Sequence, residues 1–111
     1  MKPAYPAGLT LALLCAASSC SERFPDLSAS ARAGWEVYRV HCLLCHTDPL
    51  RESPTGPALA GASLALLRAK VLEARYPDGY APKRPGAITM PKVPAVRDDL
   101  EAIAAFLAEV K

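Results

Sequence analysis

The sequence has few of the residues that build a large core, a disulfide framework or a membrane span. Aromatic residues make up 6% of its 111 residues, and cysteine occurs only four times. Its longest apolar run, residues 7–17, is shorter than the roughly 20 residues that a membrane-spanning helix takes. The net charge of only +2 gives no support for nucleic-acid binding. The chain therefore holds one domain at most, without an aromatic-filled core.

The first 20 residues have the composition of an export signal. Lys2 precedes the apolar run, which predicts a signal peptide over residues 1–19. The segment Ala17-Ser18-Ser19-Cys20 resembles a bacterial lipobox, which implies that Cys20 is lipidated and becomes the first mature residue. Ordinary cleavage is the alternative, because alanine and serine before the cysteine also satisfy a small-x-small site. Both interpretations place the mature chain outside the cytoplasmic membrane, on the periplasmic side.

One window, Cys42-Leu43-Leu44-Cys45-His46, brings together more chemistry than any other part of the chain. Two cysteines three positions apart and followed by histidine have the spacing of a c-type haem attachment site. On a helical turn Cys42 and Cys45 lie on one face, so both sulfurs can reach the two vinyl groups along one porphyrin edge. His46 then points at the iron from the same side. The motif predicts one haem c, held covalently through Cys42 and Cys45.

Two haem-free interpretations of this motif stay open as alternatives. A CxxC can be half of a structural zinc site, but such sites use four Cys or His ligands, and the sequence has no second CxxC or HxxxH. It can also be a thioredoxin-like dithiol, but that interpretation expects a βαβ setting, and no convincing strand pattern is present. Because Cys15 and Cys20 fall in the targeting segment, no cysteine pair remains for a structural disulfide.

The rest of the chain predicts a small all-α domain over residues 28–111, joined to the signal by a tether over residues 20–27. Helical periodicity marks three segments of the domain: one from a Ser28 or Ser30 cap to the haem motif, one over 63–76 and one over 96–111. A bound haem would supply the hydrophobic bulk that so short a chain lacks.

Two local signals refine the first and last of these helices. Gly34 lies in the middle of the first helix, where glycine costs up to about 1 kcal/mol relative to alanine, and such a bare position usually lets another backbone come close. In the last helix, Asp98 followed by Glu101 has the spacing of a capping box. We therefore expect a close helix contact at Gly34 and a helix start at Asp98.

Prolines and glycines predict loops over residues 47–62 and 77–95. The second loop contains Met90, within Ile88-Thr89-Met90-Pro91, which is the only methionine left after removal of the signal. A lone methionine is by itself more often a filler of apolar gaps than a ligand. Its interpretation therefore depends on the rest of the pattern.

The series Gly34-x-x-x-Tyr38-x-x-x-Cys42-x-x-Cys45-His46 resembles the opening of the class I cytochromes c. The resemblance implies the cytochrome c fold, in which three main helices and long loops wrap one covalently bound haem. It also implies that the N- and C-terminal helices cross, with Gly34 and Tyr38 packing where Ile103 and Phe106 stand on the last helix. His41, just before the first cysteine, is expected to be a surface residue.

Two further segments extend this resemblance to the ligands of the iron. Thr55-Gly56-Pro57-Ala58-Leu59 implies that the Pro57 carbonyl accepts a hydrogen bond from the non-ligating nitrogen of His46, and that Leu59 packs on the haem ring. Such a bond fixes the orientation and basicity of a ligating imidazole. Met90-Pro91, in a loop before the last helix, implies that Met90 is the second axial ligand. Imidazole and thioether together raise the haem potential.

The resemblance implies an electron carrier and not an enzyme. Redox donors and acceptors would dock transiently at an exposed haem edge, with Lys83, Arg84 and Lys92 placed to ring it. A lipid on Cys20 would keep the carrier near membrane partners. One alternative is a haem subunit fixed permanently to an exported dehydrogenase or oxidase. Another is a catalytic or sensing haem protein, which needs an open axial position.

Overall fold

The computed structural model describes residues 23–85 and 90–110, and this part of the chain is all-α, with no strand. Its helices are α1 (Ala29–His41), α2 (Leu43–His46), α3 (Leu64–Leu67, continued by a π-helix over Arg68–Leu72), a 3-10 helix (Pro94–Asp99) and α4 (Leu100–Glu109). None of the described helices is long and apolar enough to cross a membrane. The predicted signal peptide and Cys20 lie outside the described residues.

The first and last helices cross at Gly34. A Cβ atom placed on Gly34 would lie 1.9 Å from the carbonyl oxygen of Ala102 and 2.9 Å from the amide nitrogen of Ile103. One turn further along, the rings of Tyr38 and Phe106 have centroids 5.4 Å apart. The expected close approach of α1 and α4 is therefore confirmed, and only glycine fits at the point of contact.

The core is built mainly on this crossing. Its fully buried members include Tyr38, Ile103, Phe106 and Leu107, to which the 3-10 helix adds Val96. The positions on α4 follow the helical period, so that one face is buried while Glu101 and Glu109 stay exposed. Burying such side chains contributes about 1.5–3 kcal/mol each, which makes this crossing the main source of stability in a short chain.

Residues 23–27, the described part of the predicted tether, pack on the domain instead of hanging free. Phe24 inserts its ring between two helices, with centroids 5.1 Å from Trp35 and 5.3 Å from Phe106. Arg23 forms a 2.6 Å ion pair with Asp48. The described part of the predicted tether is therefore in contact with the domain, because the Phe24 ring finds an apolar gap between the helices that the sequence alone does not reveal.

Ser28 caps α1, as one of the two serines was expected to do. Its hydroxyl accepts a hydrogen bond from the Ala31 amide at 3.3 Å. Its own amide donates to the Glu109 carboxylate at 2.9 Å, and its hydroxyl donates to the other oxygen of that carboxylate. The end of α4 thereby holds the start of α1, which ties the helix pair together at this end.

The middle helix is shorter than the predicted span of 63–76. Ser63 caps it, but its second half widens into a π-helix, and Ala74 takes a φ of +54° that ends it. The carbonyl of Val71 accepts a hydrogen bond from the Val93 amide at 2.8 Å. The end of the helix is thus tied to the segment that follows Met90, a contact that periodicity cannot show.

The predicted capping box of the last helix is also wrong. Pro94, near the end of the predicted loop 77–95, opens a 3-10 helix that runs through Asp99, and α4 starts only at Leu100 with no side-chain cap at Asp99. A preceding 3-10 turn supplies carbonyl acceptors to the first amides of a helix, so a side-chain cap is not needed there. Asp98 therefore lies inside the 3-10 helix.

Candidate functional site

The cysteine motif lies where α1 continues into α2. The Cys42 amide donates to the Tyr38 carbonyl at 2.8 Å, and the His46 amide donates to the Cys42 carbonyl at 3.0 Å. Helical hydrogen bonding therefore runs through the motif, and the two cysteines lie about one turn apart, as predicted. Both are free thiols, Cys42 half-buried and Cys45 exposed. Burial raises the pKa of the Cys42 thiol to about 11.

His46 is buried and held by one hydrogen bond. Its Nδ1 atom lies 3.1 Å from the Pro57 carbonyl oxygen, which is the contact expected from the resemblance. A carbonyl can only accept, so Nδ1 carries the proton and Nε2 keeps its lone pair. Burial lowers the pKa of His46, the bond to Pro57 raises it, and the charge of Arg84 lowers it again. The neutral imidazole that results is the form that binds metals.

Gly56 is a site residue that the sequence analysis did not single out. A Cβ atom there would lie 2.6 Å from Nδ1 of His46 and 3.0 Å from the Cys45 carbonyl oxygen. Any side chain would therefore displace the imidazole ring. The available signal was the position of a glycine directly before Pro57, which is easily read as an ordinary turn residue.

Two hydroxyl groups fasten the loop around Gly56 to the motif. Ser53 donates to the Cys45 carbonyl at 3.0 Å, and Thr55 donates to the same oxygen at 2.6 Å. Tyr38 donates its hydroxyl to the Thr47 carbonyl at 3.1 Å, just beyond the motif. The backbone on both sides of His46 is thus fixed by polar side chains.

The remaining predicted site residues lie against the apolar core. Cys42, Leu59 and Met90 are each partly buried and pack against the same buried cluster. The Leu59 amide donates to the Pro49 carbonyl at 2.9 Å, which fixes the loop that carries it. The structure brings His46 together with Pro57, and it places Met90 on the core beside the helices. Their roles toward a haem stay predictions.

Two of the three basic residues expected to ring a docking edge have partners on the protein. Lys83 donates to the Ala58 carbonyl at 2.7 Å, and Arg84 forms a 2.7 Å ion pair with Glu52. Lys92 is exposed. The first two therefore join the segment before Met90 to the loop that carries Pro57, and their role around a docking edge stays a prediction.

Two cavities of the described structure lie away from the cysteine motif. One of about 430 Å³ lies beside the π-helix, lined by Ala69 and Asp78 among others, and one of about 330 Å³ lies beneath Phe24 and Leu50. Over residues 23–85 and 90–110, no three His, Cys, Asp or Glu side chains converge as a metal site.

No protein-family model matches this chain, and no curated protein or solved structure matches it significantly either. The case for a function therefore rests on the residues and their geometry.

Proposed function

We propose that this chain is a small exported c-type cytochrome that carries single electrons. The observation that carries the proposal is the His46 ring, which follows the two cysteines and is anchored by Pro57 through Nδ1. Gly56 leaves room for the ring in that position. Two free thiols about one helical turn apart and an imidazole with an available Nε2 are the donor set that a haem c uses. The residues present therefore fit the group.

Each site residue has one task in this proposal. Cys42 and Cys45 form the thioether links, His46 gives the first axial ligand and Met90 gives the second. The haem supplies the one-electron change between ferrous and ferric iron. Because Met90 and Leu59 both pack on the same buried cluster, the protein supplies an apolar wall that keeps water away. The α1–α4 crossing beside the motif supports assigning the domain to the cytochrome c fold.

An exposed apolar patch beside the cysteines suits transient redox partners. Over residues 23–85 and 90–110, Val40 and Leu44 are the two most exposed large apolar side chains, 69% and 90% accessible. They lie four positions apart along the helical path and therefore share a face, and Leu44 stands between the two cysteines. Electron-transfer complexes use small interfaces of this kind, so we place partner docking here.

A lipid on Cys20 would hold the domain close to the membrane. Since the chain is already packed on the domain at Arg23 and Phe24, only residues 21–22 lie between Cys20 and the described structure. Each residue spans at most about 3.5 Å, so the domain would stay within roughly 10 Å of its anchor. Such confinement raises the effective concentration at membrane partners.

Expression together with a c-type cytochrome maturation system tests the proposal. We expect a haem-stained band on a denaturing gel and an intact mass that includes one haem, with a signal-cleavage site and any lipid visible in the same mass. A Cys42→Ser/Cys45→Ser variant is the matched control and should lose the stain. Colourless protein from the wild-type sequence would overturn the proposal.

The methionine ligand is tested by Met90→Ala in the matured protein. We expect loss of the long-wavelength band that thioether ligation gives ferric haem, and a lower potential, because imidazole–thioether ligation raises it. Lys92→Ala, in the same segment, should change neither. A spectrum unchanged by Met90→Ala, or high-spin ferric haem in the wild type, would instead favour a catalytic or sensing protein with an open axial site.

A further inference from the structure

The peptide group between Pro57 and Ala58 is bound at both of its polar ends. Its carbonyl oxygen lies 3.1 Å from Nδ1 of His46, which donates to it. Its N–H donates to Oε1 of Glu52 at 3.0 Å. Hydrogen bonds at the two ends of one amide polarise and strengthen each other. A carboxylate on one side of this peptide is thus coupled to the imidazole on the other.

The same carboxylate is bound to a cation. Oε2 of Glu52 accepts a hydrogen bond from the Arg84 guanidinium at 2.7 Å. The Ala58 amide and the Arg84 guanidinium both lower the pKa of Glu52, so the group is an anion at neutral pH. Arg84 therefore offsets part of the negative charge of Glu52, at the carboxylate oxygen that does not face the peptide.

The geometry of this chain of contacts is fixed by the fold. Ser53 and Gly56 exchange backbone hydrogen bonds of 2.9 and 3.4 Å, which close the turn after Glu52. Lys83 binds the Ala58 carbonyl at 2.7 Å, so Ala58 is held through both its amide and its carbonyl. The carboxylate, the peptide and the imidazole are therefore held in line by neighbours on two separate loops.

We propose that Glu52 is a positioning residue that sets the basicity of His46 through the Pro57–Ala58 peptide, with Arg84 as the counter-charge that limits the effect. The inference rests on the proposed function, because it concerns the imidazole as an iron ligand. A partner behind a ligating histidine raises its basicity, and a more basic ligand stabilises ferric iron. Glu52 then lowers the reduction potential, and Arg84 raises it.

Two variants of the full-length, haem-loaded protein test this proposal. Glu52→Gln should raise the potential, with a two- to threefold change in the one-electron equilibrium constant, or about 20–30 mV at 59 mV per tenfold. Arg84→Gln should move it in the opposite direction. A purely structural role, in which either change only loosens the loops, would shift both variants the same way. Shifts of the same sign would overturn the proposal.

The chain offers a matched control in Glu36, which pairs with Arg39 at 2.7 Å on α1 and is about as exposed as Glu52. Glu36→Gln removes the same charge without touching the loop around His46, so it should leave the potential unchanged. The shift of Glu52→Gln should persist in about 1 M salt, where the Debye length is only about 3 Å. If the shift vanishes in 1 M salt, it comes from the long-range field of the charge, and the proposed coupling through the Pro57–Ala58 peptide is wrong.

A spectroscopic readout reports the histidine directly. In the diamagnetic ferrous protein, the Nδ1 proton of His46 should move upfield in Glu52→Gln, because its bond to Pro57 weakens. It should stay in place in Glu36→Gln. A protein that takes up no haem overturns the proposed function and, with it, the proposed role of Glu52. A haem-loaded protein in which neither this proton nor the potential changes in Glu52→Gln overturns the role of Glu52 alone.

Discussion

The α1–α4 crossing and the loop around His46 are held in opposite ways. At the crossing, apolar side chains are fully buried and two backbones nearly touch at Gly34. Around His46, the backbone is fixed by polar groups, with Ser53 and Thr55 bound to the Cys45 carbonyl. The helices are therefore stabilised by burial, and the loop around His46 is positioned by directed hydrogen bonds.

This difference separates stability from function. Burial is non-directional and scales with area, so the crossing can tolerate changes that keep volume but none that add an atom at its closest point. Hydrogen bonds weaken steeply as their angle departs from linear. The loop therefore fixes the orientation of one imidazole, while it contributes little to the total free energy of unfolding. Changes at the crossing should unfold the protein, and changes at the loop should retune the site.

The largest expected effect is that of Gly34→Ala at the crossing. The added Cβ would lie 1.9 Å from the Ala102 carbonyl oxygen, so the helices must separate. We expect a loss of about 3 kcal/mol from overpacking, which a helix-propensity gain of about 1 kcal/mol does not offset. Urea unfolding measures the loss.

Gly79→Ala is the matched control for that change. Gly79 has a φ of +76°, and a Cβ there meets nothing within 4 Å, so only a conformational cost of about 1 kcal/mol is expected. Equal losses for the two alanine variants would show that the crossing is not tightly packed.

Gly56→Ala should have the next largest effect, on the loop side of the comparison. Its Cβ would lie 2.6 Å from Nδ1 of His46 and push the ring from the Pro57 carbonyl. We expect about 2 kcal/mol of overpacking and a changed haem spectrum in the loaded protein, measured by urea unfolding and absorption. A variant that loses stability but keeps its spectrum would contradict the view that this loop orients the histidine.

Tyr38→Phe tests the one side chain that belongs to both regions. It keeps the ring in the core but removes the hydroxyl that donates to the Thr47 carbonyl, so we expect a loss of about 1–2 kcal/mol. Burial raises the pKa of Tyr38 above its ordinary value of 10.0, so the folded state holds this proton more tightly than the unfolded state. Its contribution is complete below pH 10 and is lost as pH rises further.

The alkaline loss should therefore be smaller in Tyr38→Phe than in the wild type. Urea unfolding at pH 8 and at about pH 11 measures the difference between the two proteins. An identical alkaline loss in both would show that the hydroxyl titrates alike in the folded and unfolded states.

The smallest effect is expected for Glu109→Gln, at the exposed end of the helix pair. Two hydrogen bonds from Ser28 lower the pKa of Glu109 below its ordinary value of 4.5. The stabilisation is therefore present above pH 4.5 and is lost as pH falls through the lowered pKa. Urea midpoints of wild type and variant should differ at pH 6 and converge near pH 3. Glu101→Gln, on the same helix, removes the same charge away from Ser28 and is the matched control.

Prediction from the sequence succeeded where a single helix or motif carries the information. The Ser28 cap, the bare Gly34 position and the buried face of α4 follow from local pattern. It missed the places where distant segments meet: Phe24 reaches the core from the predicted tether, and Val93 binds the end of the middle helix. Both contacts depend on a partner far along the chain, which no local window contains. The capping box failed for a local reason, because a 3-10 turn precedes the last helix.

By itself the sequence determined the helical class, the haem-type motif and the residues able to ligate a metal, because spacing along a helix dictates which side chains share a face. Only the tertiary structure decided how His46 is held. Its Pro57 contact, the missing Cβ of Gly56 and the Glu52–Arg84 pair involve loops whose prolines and glycines have no period to read. Their positions follow from hydrogen bonds between segments up to 32 positions apart, which no local pattern contains.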